Sequence, residues 1–417
     1  MENKDFTQII SQENKISHDM YELIKELYPL CRSITGNGVR TTHDIIRKRV
    51  QIQTHEIASG TKVYDWVVPK EWNIDDAYLI SPEGKKIIDF KKSNLHVVSY
   101  SVPIKTKLPL DELKKHIHTL PEQSDVIPYL TSYYSEDWGF CMTHNQFLEL
   151  KNGEYEAVVD SSLTDGHLTY SEYYIKGKKE DEILITCYTC HPSLCNDNLS
   201  GVALVTFLAK YLDGLSLNYS YRFLFIPETI GAITWLSINE KNTSKIKHGL
   251  VATCVGDSGN STYKKSRQGN AEIDLATINV LQHSGSQFNI VDYFPSGSDE
   301  RQFCSPGFDL HVGSLMRTMY GHFKEYHTSA DDLKFVNEKH LGDSFVKYLK
   351  IIFVLENNTK YLNLNPKCEP QLSKRGLYTT LGGQKVDDLT KTAIQWVRSE
   401  EHTSELQSRE TISYAVF

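Results

Sequence analysis

The stretch from residue 182 to residue 212 constrains this chain more than any other. Residues 183–188 read Ile-Leu-Ile-Thr-Cys-Tyr, a run with the length and apolar character of a strand buried on both faces. A polar loop follows, with Cys190 and His191 at its start and Asp197, Asn198, Leu199, Ser200 and Gly201 at its end. Val202, Leu204, Val205, Leu208 and Leu212 then recur at helical spacing. A strand therefore ends on an imidazole, a carboxylate closes the loop, and a helix starts directly behind them.

The alternation continues downstream. Ser220 to Pro227 reads as a second buried strand, because Phe223-Leu224-Phe225-Ile226 is continuously apolar. Ile230 to Asn239 suits a helix, and Gly249 to Val255 suits a third strand. Strands alternating with helices predict an α/β fold, a mostly parallel sheet with helices on both faces. Ligands of such sheets bind outside the carboxyl ends of the strands. His191 and Asp197 fall there after one strand, Glu228 after the next and Asp257 after the third.

Two further regions flank this core. Residues 15–50 read as helical, with Met20, Leu23, Ile24 and Leu27 on one face and Ile45, Ile46 and Val50 on another; a turn-rich loop from Cys31 to Gly38 divides them. From 54 to 177 short β-branched and aromatic runs alternate with turns, notably 62–69, 77–80 and 96–100. This predicts an inserted, mostly β module containing one helix near 110–117. The expected division is 1–53 with 178–360 as one domain and 54–177 as an insertion. That module either shapes a substrate entrance or mediates self-association.

Residues 398–417 are set aside as a non-native tail, because the first eleven match a common short-read sequencing adapter translated in this frame. The formal charge of −8 becomes −6 without the two Arg and four Glu of that tail, which argues against nucleic acid as the main partner. No apolar run is long enough to span a bilayer. The N-terminus starts polar, without a signal-peptide core. Eight cysteines show no framework spacing, which suits reduced thiols and a cytoplasmic location. Cys187 to His191 also matches the haem-attachment pattern Cys-x-x-Cys-His. On a strand, however, residues three apart point to opposite faces, so Cys187 and Cys190 would not face one cofactor together.

An imidazole and a carboxylate are ligand types that zinc takes in catalytic sites. Glu228, in Pro227-Glu228-Thr229-Ile230-Gly231, stands where a general base would serve a metal-activated water. His327 supplies another imidazole, with Glu325, Asp331 and Asp332 nearby. Glu325 is read as a solvated acid or as a ligand for the metal or a substrate amine. Asp331 is read as a helix cap or as an acid that orients a ligand. Asp257 is read as a turn former or a ligand. Arg32 and Arg301 are candidates for holding a substrate carboxylate, against surface ion pairing.

These segments together resemble the zinc aminopeptidases of the bacterial leucyl aminopeptidase and glutaminyl cyclase type. They resemble more closely an aminopeptidase-like family with an inserted β domain and a C-terminal winged helix. Residues 27–36, 131–134, 138–141, 227–231, 297–302 and 325–332 carry the likeness with the His191 loop. The resemblance implies a zinc-exopeptidase-like fold, a truncated winged helix over 361–397, and metal ligation by His191, Asp197 and His327, with Glu228 as base. Some members lie among polysaccharide biosynthesis genes, so the substrate need not be an ordinary peptide. This sequence departs from the di-zinc pattern at three places. Thr229 and Thr253 stand where ligand acids are expected, and Ser193 replaces the acid of the usual His-x-Asp pair. One zinc is therefore expected rather than two, in a hydrolase acting on a peptide or amino-acyl small molecule. The alternative is a catalytically degenerate protein that binds a metal or ligand, linked to polysaccharide biosynthesis or its regulation.

Overall fold

The computed structural model describes residues 1–358 and, beyond them, residues 360–362, 367, 368, 371, 374 and 402–404. Two compact units divide the chain, Met1–Ile351 and Ile352–Phe417. In the second, Lys360–Leu362 pairs antiparallel with His402–Ser404. Most of the winged helix expected over 361–397, and most of the 398–417 tail, lie outside the described residues.

The principal strands of the first unit, in chain order, are β1 (Gln53–Ala58), β2 (Glu71–Ile80), β3 (Lys86–Asp89), β4 (Ile104–Pro109), β5 (Glu154–Thr164), β6 (His167–Ile175), β7 (Glu182–Tyr188), β8 (Ser220–Ile226), β9 (Ile246–Ala252), β10 (Ser261–Lys264), β11 (Phe288–Val291) and β12 (Val312–Met316). The principal helices are α1 (Glu13–Leu27), α2 (Asn37–Arg47), α3 (Gly201–Leu212), α4 (Ile230–Asn239), α5 (Glu272–Gln282) and α6 (Glu338–Asn357). An eight-stranded sheet has the order β1-β6-β8-β7-β9-β12-β10-β11. Its centre, β8-β7-β9-β12, is parallel, as is the β10–β11 pair; the other three pairings are antiparallel. Every residue of β7 is buried, which is why the run carries no polar alternation. Helix α3 is apolar almost all round and packs against β7, β9 and α1.

The 54–177 segment contributes both of its ends to this large sheet, as β1 and β6. Its middle forms a separate antiparallel sheet in the order β3-β2-β5-β4, around Ala77, Leu79, Ile88, Tyr155, Ala157 and Val159. At one corner Arg40 of α2 grips both carboxylate oxygens of Glu71 at 2.7 and 2.6 Å. The strand expected at 96–100 is absent. Residues 94–96 form a tight helical turn, and Val97 and Ser99 make only single bridges to Phe140 and Thr131. Residues 95–100 are all buried, so their apolar character reflects burial from several sides rather than a sheet. Near 110–117 the helix is one turn, Leu110–Leu113, before the chain tightens. Among the described residues no helix is long and apolar enough to cross a membrane.

Candidate metal centre

Because β7 and β8 are parallel, the loops after both emerge at one edge of the sheet. His191 and Asp197 follow β7, and Glu228 follows β8. His327 reaches the same place from the segment beyond β12. His191 presents Nδ1 to Asp197 Oδ1 at 3.5 Å and Nε2 to Glu228 Oε2 at 3.6 Å. His327 Nε2 stands 2.9 Å from Asp197 Oδ2. The side chains of Asp197 and His191 are 0% and 6% exposed, against 25% for Glu228 and 34% for His327. Access is therefore from the Glu228 and His327 side.

The loop that presents Asp197 is held from beneath. Asp331 accepts the backbone N–H groups of Asn196 and Asp197 at 2.6 and 2.9 Å. Asn198 donates to the Ala252 carbonyl at 3.0 Å and accepts the Gly201 N–H at 3.2 Å. A Cβ at Gly201 would fall 2.3 Å from the Ala252 oxygen, so only glycine lets the loop seat on β9. The Tyr188 hydroxyl donates to Asp197 Oδ1 and lies 2.6 Å from Thr253 Oγ1. Thr253, where a ligand acid was expected, instead joins a hydroxyl pair that occupies one oxygen of Asp197.

Charge reinforces this arrangement. Burial opposes ionisation of His191, but Asp197 and Glu228 outweigh it and raise its pKa to about 9. Burial likewise opposes the Asp197 carboxylate, and His191 and His327 nevertheless hold its pKa below the usual range. Glu228 is pushed up to about 7, first by its dry surroundings and then by Asp197 against the pull of His191. His191 Nδ1, Asp197 Oδ2 and His327 Nε2 are among the buried side-chain atoms that make no well-aligned hydrogen bond in the described residues, although His327 Nε2 and Asp197 Oδ2 face each other at 2.9 Å. The donor atoms of these three residues lie within 4.8 Å of one another. Buried polar atoms left unpaired are costly, and two imidazoles with one carboxylate form a donor set that zinc takes with a position open. The residues thus fit such a cation.

The profile described as "Domain of unknown function (DUF4910)" matches residues 21–358, and a winged helix-turn-helix profile matches 359–399. The chain belongs to the DUF4910 family. A Clostridium acetobutylicum relative is 59% identical over 394 residues, 94% of this chain and 91% of its own. It is provisionally described as a polysaccharide biosynthesis protein with an aminopeptidase-like domain. A crystal structure from the same organism, provisionally described as a peptidase, is 55% identical with a TM-score of 0.88, covering 99% of this chain and 97% of that one. The zinc aminopeptidase BSAP of Bacillus subtilis shares the fold at 12% identity, with a TM-score of 0.60 over 81% of this chain and 95% of its own.

In this DUF4910 protein the other sequence candidates lie outside the donor cluster. Arg32 is buried and donates to the carbonyls of Leu27, His191 and Pro192 at 2.7 to 2.8 Å, so it is neither a surface ion pair nor turned toward a substrate. Asp257 accepts from Asn196, Gly259 and both donors of Thr318 at 2.6 to 3.2 Å, and so braces the loop after β9. Among the described residues Glu325 pairs with Lys324, at 3.9 Å. Arg301 donates to Thr229 Oγ1 at 2.7 Å, directly beside Glu228. Asp331 serves the Asp197 loop rather than the His327 ring.

Sequence reading missed several contributors. Asp299 accepts the Thr229 N–H at 2.7 Å. With Arg301 it holds Thr229 at φ 63°, a strained conformation for a β-branched residue. That turn aims Glu228. Aromatic rings line the imidazoles: Tyr129 meets His191 and His327 edge-on at 5.4 and 5.1 Å, and Tyr326 stacks on His327 at 4.0 Å. Tyr129 comes from the inserted module. Residues 131–134 were noticed as a motif, but their neighbour Tyr129 carries no local signal.

Proposed function

We propose that this protein is a zinc-dependent hydrolase of aminopeptidase type that cleaves an amide bond near a free amine. His191, Asp197 and His327 would hold one zinc ion, and Glu228 would be the general base. The observation that supports this reading is the convergence of two imidazoles and a carboxylate, their donor atoms within 4.8 Å of one another, beside the Glu228 carboxyl. Bound zinc supplies Lewis acidity and a water of lowered pKa. Glu228 would take the proton of the attacking water and return it to the leaving amine. Tyr188 occupies Asp197 Oδ1, which leaves Oδ2 for a single ion and supports one zinc rather than a bridged pair. Tyr129 and Tyr326 limit water around the imidazoles. The Clostridium relative's description supports a substrate amide carried on a saccharide precursor, with the same chemistry.

Two measurements test this. Metal analysis of the purified chain should give one zinc, lost in both His191→Ala and His327→Ala. Zinc-free wild-type protein under saturating zinc would sink the reading and favour a ligand-binding protein. Glu228→Gln should retain zinc and lose turnover by about 100-fold or more, the scale of general-base catalysis. Full turnover in that variant would remove Glu228 from the mechanism.

A further inference from the structure

His191 faces two groups of donors, and the proposed function uses only one. Nδ1 looks toward Asp197 and His327. Nε2 looks away from them, 3.6 Å from Glu228 Oε2. On that second side lies the Cys190 thiol, which accepts the Glu228 N–H at 3.3 Å. The donor atoms of Cys190, His191 and Glu228 lie within 4.8 Å of one another, as close a set as the first. Cys190 is fully buried at the end of β7, and its backbone neighbours are fixed by the sheet, so the three donors are preorganised. No hydrogen bond to the Glu228 carboxylate is made among the described residues, and the carboxylate is partly open to solvent, which provides an entry path.

We infer that Cys190, His191 and Glu228 form a second cation site, softer than the first, whose occupancy switches the proposed hydrolase off. The donor types are sulfur, nitrogen and oxygen, and a thiolate selects zinc, cadmium or cobalt over magnesium or calcium. Forming the metal–sulfur bond releases the S–H proton to solvent; when both ions are held, His191 bridges them as an imidazolate and its remaining ring N–H proton also passes to solvent, and no oxidant or reductant takes part. His191 uses Nε2 here while Nδ1 serves the first ion, so the sites share one ring and the second binds more weakly. Glu228 becomes a ligand and can no longer accept a proton. The inhibitory consequence rests on the reading of Glu228 as base; the binding site itself does not.

The test is a cobalt(II) titration of the full chain after its metals are stripped with a chelator. Two equivalents should bind. A near-ultraviolet sulfur-to-cobalt charge-transfer band should grow only with the second, together with release of the thiol proton and the His191 ring proton. Cys190→Ala should keep the first equivalent and weaken the second by at least about 100-fold, since loss of mere ligand-supporting groups already costs 10- to 100-fold. Glu228→Gln, which leaves the core untouched, should also weaken the second equivalent. Saturation at one equivalent, or a charge-transfer band that persists in both variants, overturns the second site while leaving the first standing. Failure to bind any cobalt overturns both.

Discussion

The two imidazoles of the centre are held in different ways. The His191 arm is bolted to the helical part of the first unit. Arg32 bonds the carbonyls of His191 and Pro192 and also that of Leu27 at the end of α1. Ser193 donates to the Tyr28 carbonyl at 2.6 Å and accepts from Asn94 at 2.8 Å. The His327 arm leans on the inserted module instead. Tyr129 N–H donates to the His327 carbonyl at 2.7 Å, Ser329 N–H donates to the Ile127 carbonyl at 2.8 Å, and Pro128 bridges Thr328. The His191 arm is thus fixed mainly by the helical part, with Asn94 of the insertion adding one bond, and the His327 arm by the insertion. The insertion is part of the centre and not an appendage beside it.

Arg32→Met should produce the largest effect. The guanidinium is buried, and burial lowers its pKa to about 10. Three carbonyls would lose a charged donor at once, and a bond to a charged group contributes about 1.5–3 kcal/mol. A net loss on the order of 3–5 kcal/mol is expected, seen by calorimetry as a fall of about 5–10 °C in Tm. A Tm unchanged in Arg32→Met would mean that the His191 arm is held by something other than this staple.

Tyr129→Ala tests the other arm. It removes the ring that meets both imidazoles while sparing the backbone pairing of 127–129 with 327–329. Zinc affinity should fall by about 10-fold, at the lower end for groups that support ligands. The Tm should fall less than in Arg32→Met, because removing the ring strips no buried carbonyls of a charged donor. Competition with a chromophoric chelator measures the affinity. Undiminished affinity would reduce the insertion to a cover over the site.

The contrast also explains what was legible in the sequence. The buried strands β7 and β8 and the helices α3 and α4 follow from local patterns, since apolar runs and helical spacing are set by nearest neighbours. His191, Asp197 and Glu228 stand out in the sequence by their local motifs, and parallel strands deliver the loops that carry them to one edge. Tyr129 does not stand out, because its contacts join segments far apart in the chain and an isolated tyrosine in a β-rich stretch has no pattern. Arg32 was misjudged because arginine is ordinarily a surface group, and its three carbonyl partners converge only in the folded chain. Asp299 and Glu300 stand in the 297–302 segment that carries the likeness, but nothing local to them announces a role; both are buried, and Glu300 pairs with a buried Lys264 at 2.7 Å. Strands β10 and β11 are four residues each, too short for alternation to register.

The smallest effect is expected at the far corner of the insertion, where Arg40 holds Glu71. The bidentate bond, aided by the His167 N–H and Asn73, outweighs burial and lowers the Glu71 pKa to about 2. A carboxyl whose folded pKa lies below its unfolded value adds stability above the unfolded value, near 4.5, and loses it as the pH falls toward 2. Allowing for solvent screening, the contribution at neutral pH is about 1 kcal/mol. Glu71→Gln should therefore be slightly less stable than wild type at pH 7, with the difference vanishing on acidification to pH 2. Its zinc affinity should match wild type, because this corner does not touch residues 127–129. A Glu71→Gln variant that lost zinc as Tyr129→Ala does would show that the whole seating of the insertion, and not the local contact at Tyr129, sets the position of His327.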